Sequence, residues 1–206
     1  FLPIMMLCAA LFGQMAPVKA QNANFDVQKA VDYANHDGVS LQADIYQPKA
    51  AGKYPAIVAV HGGGWQAGDK SRVAGLVDIE RLLAAGISVV SINYRYVAQA
   101  YAAGVRPPVQ APLHDAARAL QFVRSQAKAW NLDAARIGAS GGSAGACSSL
   151  WLAFHADLAD PASADPVRCH ASPRRSSTAM PSAVPTSRRS QAASPLKLMV
   201  PFGDRQ

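Results

Sequence analysis

The chain has 206 residues, half of them apolar, which is enough material for the core of one domain. Its net charge is +7, but residues 1–165 hold 13 Lys and Arg against 12 Asp and Glu, whereas residues 166–206 hold seven against one. Because the basic surplus is confined to the last segment, we expect no nucleic-acid partner. The three cysteines and five histidines show neither the spacing of metal ligands nor that of a disulfide framework, which argues against a fold stabilised by a metal site or by disulfide bonds.

The first twenty residues have the pattern of an export signal. An apolar run over residues 4–12 precedes Val18-Lys19-Ala20, which resembles a small-residue cleavage site. The run is shorter than the roughly 20 apolar residues that span a bilayer, so we expect no stable membrane span and a periplasmic or secreted product. The alternative is a buried N-terminal helix.

The elements that follow begin with a hairpin. Residues 25–35 and 39–46 alternate in polarity around His36-Asp37-Gly38, a turn sequence that predicts two antiparallel strands. The apolar run 56–60 predicts a buried strand.

A helix over residues 71–86 is predicted next, with Ser71 as its N-terminal cap and Gly86 at its end. A buried strand over residues 87–92 and an Ala/Gly/Pro-rich loop over residues 97–112 follow.

The last predicted elements are a helix over residues 113–130, a strand over residues 136–139 and a helix over residues 146–155. Strand and helix thus alternate after an antiparallel start. This order predicts an α/β fold with a doubly wound sheet, mostly parallel, with an antiparallel N-terminal hairpin.

Residues 141–145, Gly-Gly-Ser-Ala-Gly, match G-x-S-x-G between a predicted strand and a predicted helix. This is the arrangement of a nucleophile elbow, in which a strained turn points a serine hydroxyl out of the sheet. Side chains at positions 141 and 145 would crowd the neighbouring strand and helix. Ser143 is therefore the candidate catalytic nucleophile, although the pentapeptide alone also fits a flexible Gly/Ser turn.

A second motif, His-Gly-Gly-Gly-Trp over residues 61–65, follows the buried strand 56–60. Attack of a serine on an ester puts negative charge on the carbonyl oxygen, and backbone N–H groups aimed at that oxygen stabilise the transition state. We expect Gly63, Gly64 and Ala144 to supply these N–H groups as an oxyanion hole.

Together these motifs resemble those of the hormone-sensitive-lipase-like esterases and of the feruloyl and acetyl-xylan esterase-like (BD-FAE) group of α/β-hydrolases. Tryptophan after the glycines and the following Gly68-Asp69-Lys70 favour the second group. Asn93-Tyr94-Arg95 and His114-Asp115 add to the resemblance, which covers about residues 25–165. Ala146 is a departure, because this group often has a further glycine there.

The resemblance implies a serine carboxylic-ester hydrolase that acts through an acyl-enzyme on small or carbohydrate-linked esters, without a metal or organic cofactor. It also implies that the loop over residues 97–112 borders the active site. An arylformamidase or a peptidase of the same fold is an alternative.

For several individual residues we considered more than one role. Trp65 is expected either to line the substrate pocket or simply to pack beside the glycine loop. We interpret His61 as a brace of that loop rather than a base, Asp115 as structural, and Arg95 as a buried tether rather than a substrate clamp. Cys147 is expected to be a small core residue on the helix after Ser143.

The triad acid and histidine are not identified. The resemblance places both on loops after later strands, and only 63 residues follow Ser143. His155 lies twelve positions along the predicted helix, about 18 Å from Ser143 at the usual helical rise. His170 comes in the right order but in an unsuitable segment. We therefore expect the acid and the histidine to be absent from this chain, together with the last strands of the sheet.

The unsuitable segment is basic and rich in Ser, Pro and Arg. Residues 166–195 contain five Pro, seven Ser and five Arg, a composition that cannot bury enough apolar area to offset chain entropy. We expect residues 166–206 to be disordered or translated out of frame after a shift near residues 166–170; a genuine basic tail is the alternative. Residues 1–20 are then the signal and residues 21–165 the N-terminal part of the hydrolase domain.

Without its last strands, the sheet is expected to leave the strand before Ser143 as an uncovered edge. A catalytically dead fragment or a binding protein built on the hydrolase fold is therefore a second hypothesis for the function. Nothing in the sequence indicates an oligomeric state.

Overall fold

The computed structural model describes residues 19–21, 25–36, 38–169 and 197–201. Its strands are β1 (Lys19–Gln21), β2 (Phe25–His36), β3 (Val39–Pro48), β4 (Tyr54–Val60), β5 (Ser88–Ile92), β6 (Leu132–Gly142) and β7 (Lys197–Pro201). Its helices are a 3₁₀ turn (Lys70–Arg72), α1 (Val73–Leu76), α2 (Ile79–Ala84), α3 (Val97–Ala102), α4 (Gln110–Ser125) and α5 (Ala144–Phe154). These strands form one sheet in the order β1-β2-β3-β5-β4-β6-β7.

The centre of the sheet is parallel and its two sides are antiparallel. β4 pairs in parallel with both neighbours, so that Val58 lies opposite Val90 of β5 and Ala139 of β6. The β2–β3 hairpin is confirmed, and β3 joins the centre antiparallel to β5. Parallel strands carry their functional loops at their carboxyl ends, so β4, β5 and β6 deliver three loops to one edge.

Helices cover both faces of this central part, as a doubly wound sheet requires. On one face, Ala59 and Val89 pack with residues of α1 and α2 such as Val73 and Leu83. On the other, neighbouring strand positions such as Val58 and Val90 pack with α4 and α5. The two clusters follow the period-2 alternation of a strand. The prediction of a doubly wound α/β fold is confirmed.

The predicted helix over residues 71–86 is broken into three short pieces, which corrects that expectation. The first cap is Asp69, whose Oδ1 accepts a hydrogen bond from the Ser71 backbone at 2.8 Å, rather than Ser71 itself. Val77 is extended, and Asp78 restarts the helix by accepting a bond from Arg81 N–H at 3.0 Å. A second strong capping residue inside an amphipathic stretch thus interrupts it. Gly86 does turn the chain, with φ +72°.

The predicted loop over residues 97–112 is largely helical, which is a second correction. It contains α3 and the first turn of α4. The Tyr96 backbone N–H donates to Gln99 Oε1 at 2.7 Å and so fixes the start of α3. Pro112 lies in the first turn of α4, where a missing N–H costs little.

Arg95 and Asp115 join the loop after β5 to α4. Arg95 Nε donates to Asp115 Oδ2 at 2.9 Å and Nη2 donates to Oδ1 at 2.7 Å. The carboxylate also accepts the Arg95 backbone N–H at 2.9 Å, and it is 1% exposed. The interpretations of Arg95 as a tether and Asp115 as structural are confirmed.

The segment after α5 folds back onto α4. Arg118 Nη1 lies 2.6 Å from Asp165 Oδ2, and Arg124 Nη1 lies 2.8 Å from Asp157 Oδ2. These pairs attach residues 157–165 to the domain body.

Only residues 166–169 and 197–201 of the basic segment are described. β7 pairs antiparallel with β6, so the edge that we expected to be uncovered carries a further strand. The rest of this segment, for which we predicted disorder or an altered reading frame, lies outside the described residues. Residues 1–18 of the predicted export signal also lie outside them.

Within the described ranges, no helix combines the length and the apolar character that crossing a membrane would require.

We expect Asp115→Asn to lower the free energy of unfolding by about 3 kcal/mol, because it removes the buried carboxylate that neutralises the Arg95 guanidinium, whose side chain is only 12% exposed. The matched control is Asp133→Asn, whose partner Arg136 is 51% exposed; exposed pairs contribute about 0–1 kcal/mol. Urea unfolding of both variants measures the difference. Equal losses would contradict the tether.

Candidate active site

Ser143 is the single residue that connects a strand to a helix. β6 ends at Gly142 and α5 begins at Ala144, and Ser143 joins them with φ +54° and ψ −121°. Positive φ is costly for a residue with a Cβ, typically about 1–3 kcal/mol, and such strain persists only where the surroundings enforce it. The side chain is exposed. Local geometry is thus that of a nucleophile elbow over residues 141–145.

Glycines at the elbow allow two backbones to touch. A Cβ at Gly145 would lie 2.0 Å from the carbonyl oxygen of Val60, the last residue of β4. A Cβ at Gly141 would lie 2.2 Å from the carbonyl carbon of Gly145. Both distances are far inside van der Waals contact. A side chain at Gly145 would therefore push the start of α5 away from β4, and one at Gly141 would collide with the first turn of α5.

The glycine loop (residues 61–68) lies directly beside the elbow. A Cβ on Gly62 would be 2.8 Å from the Gly142 carbonyl oxygen and 3.4 Å from Ser143 Cβ. Gly63, Gly64 and Trp65 follow with φ values of +114°, +63° and +56°. The structure therefore brings the predicted nucleophile and the predicted glycine run to one place. The roles of Gly63, Gly64 and Ala144 as oxyanion donors remain predictions.

His61 braces this loop, as expected. Its Nδ1 lies 2.7 Å from the Gly62 carbonyl oxygen, and since a carbonyl only accepts, Nδ1 carries the proton. The ring stacks on Tyr94 with centroids 4.2 Å apart, and the Tyr94 hydroxyl donates to the His61 carbonyl at 2.9 Å. The side chain is buried, and its Nε2 has no hydrogen-bond partner among the described residues. Burial lowers the pKa of His61, although the Gly62 bond and the Asp69 charge act in the opposite direction.

The Gly-Asp-Lys sequence anchors the far end of the loop. Asn93 Nδ2 donates to Asp69 Oδ2 at 2.9 Å, and the Lys70 backbone N–H donates to Asn93 Oδ1 at 2.7 Å. Burial alone would raise the pKa of Asp69, but hydrogen bonds from Ser71 and Asn93 and the charge of Lys70 lower it to about 2. The carboxylate is therefore ionised at neutral pH and holds the loop on the end of β5.

Asp44 is a supporting residue that the sequence did not single out. It lies on β3, is 1% exposed, and its Oδ1 is 3.0 Å from Lys70 Nζ. Lys29 Nζ lies 3.1 Å from Oδ2. An aspartate inside an alternating strand gives no pattern signal, so only the fold reveals that it supports Lys70.

Trp65 packs against the main core, and its indole Nε1–H donates to Ser148 Oγ at 3.0 Å. Its carbonyl accepts the Val97 N–H at 2.8 Å, which joins the loop to α3. Trp65 therefore packs beside the glycine loop, and its role in lining a substrate pocket remains a prediction.

Cys147 is exposed on α5 and is not a core residue, which corrects our expectation. The side of α5 that packs on the sheet is occupied by Ala144, Gly145, Ser148, Ser149 and Leu152. Position 147 falls on the opposite side. The period of the helix, rather than the small size of the side chain, decides its exposure.

The described histidines have neighbours other than Ser143. His155 caps the end of α5, with Nδ1 3.1 Å from the Trp151 carbonyl oxygen and its ring stacked on that tryptophan. The His114 ring lies 5.8 Å from the Trp151 ring, measured between centroids, and His36 Nε2 lies 3.5 Å from Asp115 Oδ1. His170 lies outside the described residues. No group of three His, Cys, Asp or Glu in the described part of the chain is arranged to hold a metal ion.

Gly145→Ala should destabilise the fold by about 3 kcal/mol, because its methyl group meets a backbone carbonyl that cannot rotate away. The matched control is Gly75→Ala in α1, where a Cβ meets nothing within 4 Å. That change should stabilise the helix by up to about 1 kcal/mol. Thermal unfolding of both variants tests this. A Gly145→Ala protein as stable as the Gly75→Ala protein would refute the close contact with β4.

The folded protein should also lose stability in mild acid through His61. Because burial lowers the pKa of this ring, the unfolded chain binds a proton more readily than the folded one. Stability is then complete above about pH 6.5, the ordinary histidine value, and falls as the pH drops from there toward the lowered value. His61→Asn should reduce overall stability but flatten this dependence. The measurement is urea unfolding across this pH range, and parallel curves for the two proteins would rule the effect out.

Comparison with known proteins agrees with this geometry. The BD-FAE family model matches residues 43–167, more than half of the chain, and its match ends where the basic segment begins. Gut esterase 1 of Caenorhabditis elegans is 32% identical over 122 residues, which are 58% of this chain and 21% of that protein.

Solved structures of an esterase are also similar to this chain. The native thermophilic esterase Est2 of Thermogutta terrifontis is 29% identical, with a TM-score of 0.57 over 69% of this chain and 49% of that one. Esterase 2 of this organism phosphorylated by paraoxon is 28% identical, with a TM-score of 0.55 over 72% of this chain and 55% of that one. The chain spans about half the length of these solved esterases and about a fifth of Gut esterase 1. Both motif loops lie within the matched range, the α/β-hydrolase fold is confirmed, and the chain belongs to the BD-FAE family.

Proposed function

We propose that this protein is a serine carboxylesterase that works through an acyl-enzyme on Ser143. The observation that carries the proposal is the elbow itself: an exposed serine at φ +54°, beside a glycine loop in which a Cβ added to Gly62 would lie 3.4 Å from Ser143 Cβ. Membership of the BD-FAE family and similarity to esterases support the type of bond that is cleaved.

The proposed reaction needs no metal or organic cofactor. Ser143 Oγ attacks the ester carbonyl carbon while its proton passes to a base. The tetrahedral intermediate collapses, the C–O bond to the alcohol breaks, and the alcohol leaves with a proton. Water then attacks the acyl-enzyme, and the acid is released as Ser143 regains its proton.

Backbone N–H groups are the proposed donors that stabilise the negative charge formed in the reaction. Negative charge on the carbonyl oxygen would be met by N–H groups of Gly63 and Gly64 and by that of Ala144. Ala144 is the first residue of α5, an eleven-residue helix, so its N–H lies at the positive end of the helix dipole. Fixed amide dipoles of this kind need no reorganisation during the reaction.

Small or carbohydrate-linked esters are the proposed substrates, on the strength of the family to which the chain belongs. Trp65 remains our candidate for one wall of the substrate pocket. Export from the cytoplasm, which we infer from residues 1–20, suits an enzyme that acts on extracellular esters.

A non-catalytic protein on the same fold is the second candidate. The observation that favours it is the placement of the histidines: in the described ranges, each of them contacts groups other than the Ser143 hydroxyl. Without a base, only the oxyanion hole and substrate binding would contribute to catalysis.

Labelling with a fluorophosphonate probe separates the two candidates. An active esterase will form one covalent adduct, mapped by mass spectrometry to Ser143, and will hydrolyse p-nitrophenyl acetate faster than formyl-kynurenine. Ser143→Ala should abolish both reactions while leaving the unfolding temperature close to that of the parent, because the side chain is exposed. A folded parent chain that forms no adduct would support the non-catalytic protein and overturn the esterase.

A further inference from the structure

The glycine loop ends in an unusual backbone conformation. Three consecutive residues have positive φ, and the last of them, Trp65, is not a glycine. Left-handed backbone costs a residue with a Cβ about 1–2 kcal/mol. Something outside the loop must therefore hold Trp65 in place, and with it the direction of the preceding Gly63 and Gly64 amides.

Ser148 provides a contact that reaches across the site. Its hydroxyl accepts the Trp65 indole N–H at 3.0 Å and donates to the Ala144 carbonyl at 3.1 Å. It is fully buried on α5, one turn after Ala144. One hydroxyl thus connects the residue after the glycines with the first residue of the elbow helix.

We propose that Trp65 and Ser148 are positioning residues that set the gap between the Gly63–Gly64 amides and the Ala144 amide. This inference rests on the proposed esterase function, in which those amides form one oxyanion hole. The two halves of that hole come from different elements, β4 and β6 with their loops, and hydrogen bonds to the oxyanion are sensitive to small displacements. Neither side chain is required to touch the substrate.

Ser149, the next residue on α5, allows a comparison with Ser148. It is equally buried on the same helix, and its Oγ donates to the Gly145 carbonyl at 2.9 Å. Both serines therefore bond back to the preceding turn. Ser148 additionally accepts the Trp65 indole N–H, which makes Ser149→Ala a matched control for Ser148→Ala.

The experiment uses the full chain with Ser148→Ala, Trp65→Phe, the double variant and Ser149→Ala. We expect the first two to slow fluorophosphonate labelling of Ser143 about tenfold each, the effect of one lost hydrogen bond to a buried donor. The double variant should be no slower than either single one. With p-nitrophenyl acetate, Ser148→Ala should lower kcat and leave KM unchanged. Ser149→Ala should label like the parent chain.

NMR of the ¹⁵N-labelled chain adds a readout that needs no activity. Solvent exchange of the Trp65 indole proton should be faster in Ser148→Ala than in the parent, and unchanged in Ser149→Ala. The Gly63, Gly64 and Ala144 amide resonances should shift in Ser148→Ala and in Trp65→Phe, but not in Ser149→Ala. If Ser148→Ala does not fold, Trp65→Phe against Ser149→Ala gives the same comparison.

Equal labelling rates and equal amide shifts for the two serine variants would overturn the positioning role. If the parent chain itself is not labelled, the esterase proposal fails, and the amide shifts alone decide: shifts confined to Ser148→Ala and Trp65→Phe uphold the connection, and their absence overturns it.

Discussion

The site depends on a contact between two backbones, the start of α5 against the end of β4. The contact is so close that a single methyl group on Gly145 would overlap the Val60 carbonyl. It fixes where the helix begins relative to the sheet, and the positive φ of Ser143 follows, because the chain must reverse within one residue. Gly62 then packs on the elbow for the same reason. Gly62, Gly141 and Gly145 thus allow the Ser143 hydroxyl to lie beside the backbone amides of the glycine loop.

A ring of polar contacts stabilises the loop on the opposite side. Asp69 with Asn93 and Lys70 with Asp44 hold its far end on β5 and β3. Tyr94 holds the His61 carbonyl, and the neighbouring Arg95–Asp115 pair fixes the loop after β5 on α4. Because these contacts involve buried or ionised groups, they resist displacement of the glycine loop. The family motifs that lie outside the elbow therefore act as supports of the same loop.

The sequence predicted the parts that depend on short-range geometry. The elbow, the glycine run, the hairpin and the parallel core follow from local spacing and strand alternation, and they were predicted correctly. The helix over residues 71–86 was wrong because Asp78 caps a new start within an otherwise helical pattern. Asp44 and Ser148 could not be identified, because their importance arises from partners 26 and 83 positions away, Lys70 and Trp65. Cys147 was misplaced because helix phase rather than residue size decides its exposure.

The most direct test of the central claim is a crystal structure of the chain after reaction with an organophosphate. If the elbow and the glycine loop form one oxyanion hole, the phosphorus will be bonded to Ser143 Oγ. One phosphoryl oxygen will lie about 3 Å from the Ala144 amide nitrogen and from that of Gly63 or Gly64. A phosphoryl oxygen that points into solvent, out of reach of all three amides, would contradict the account.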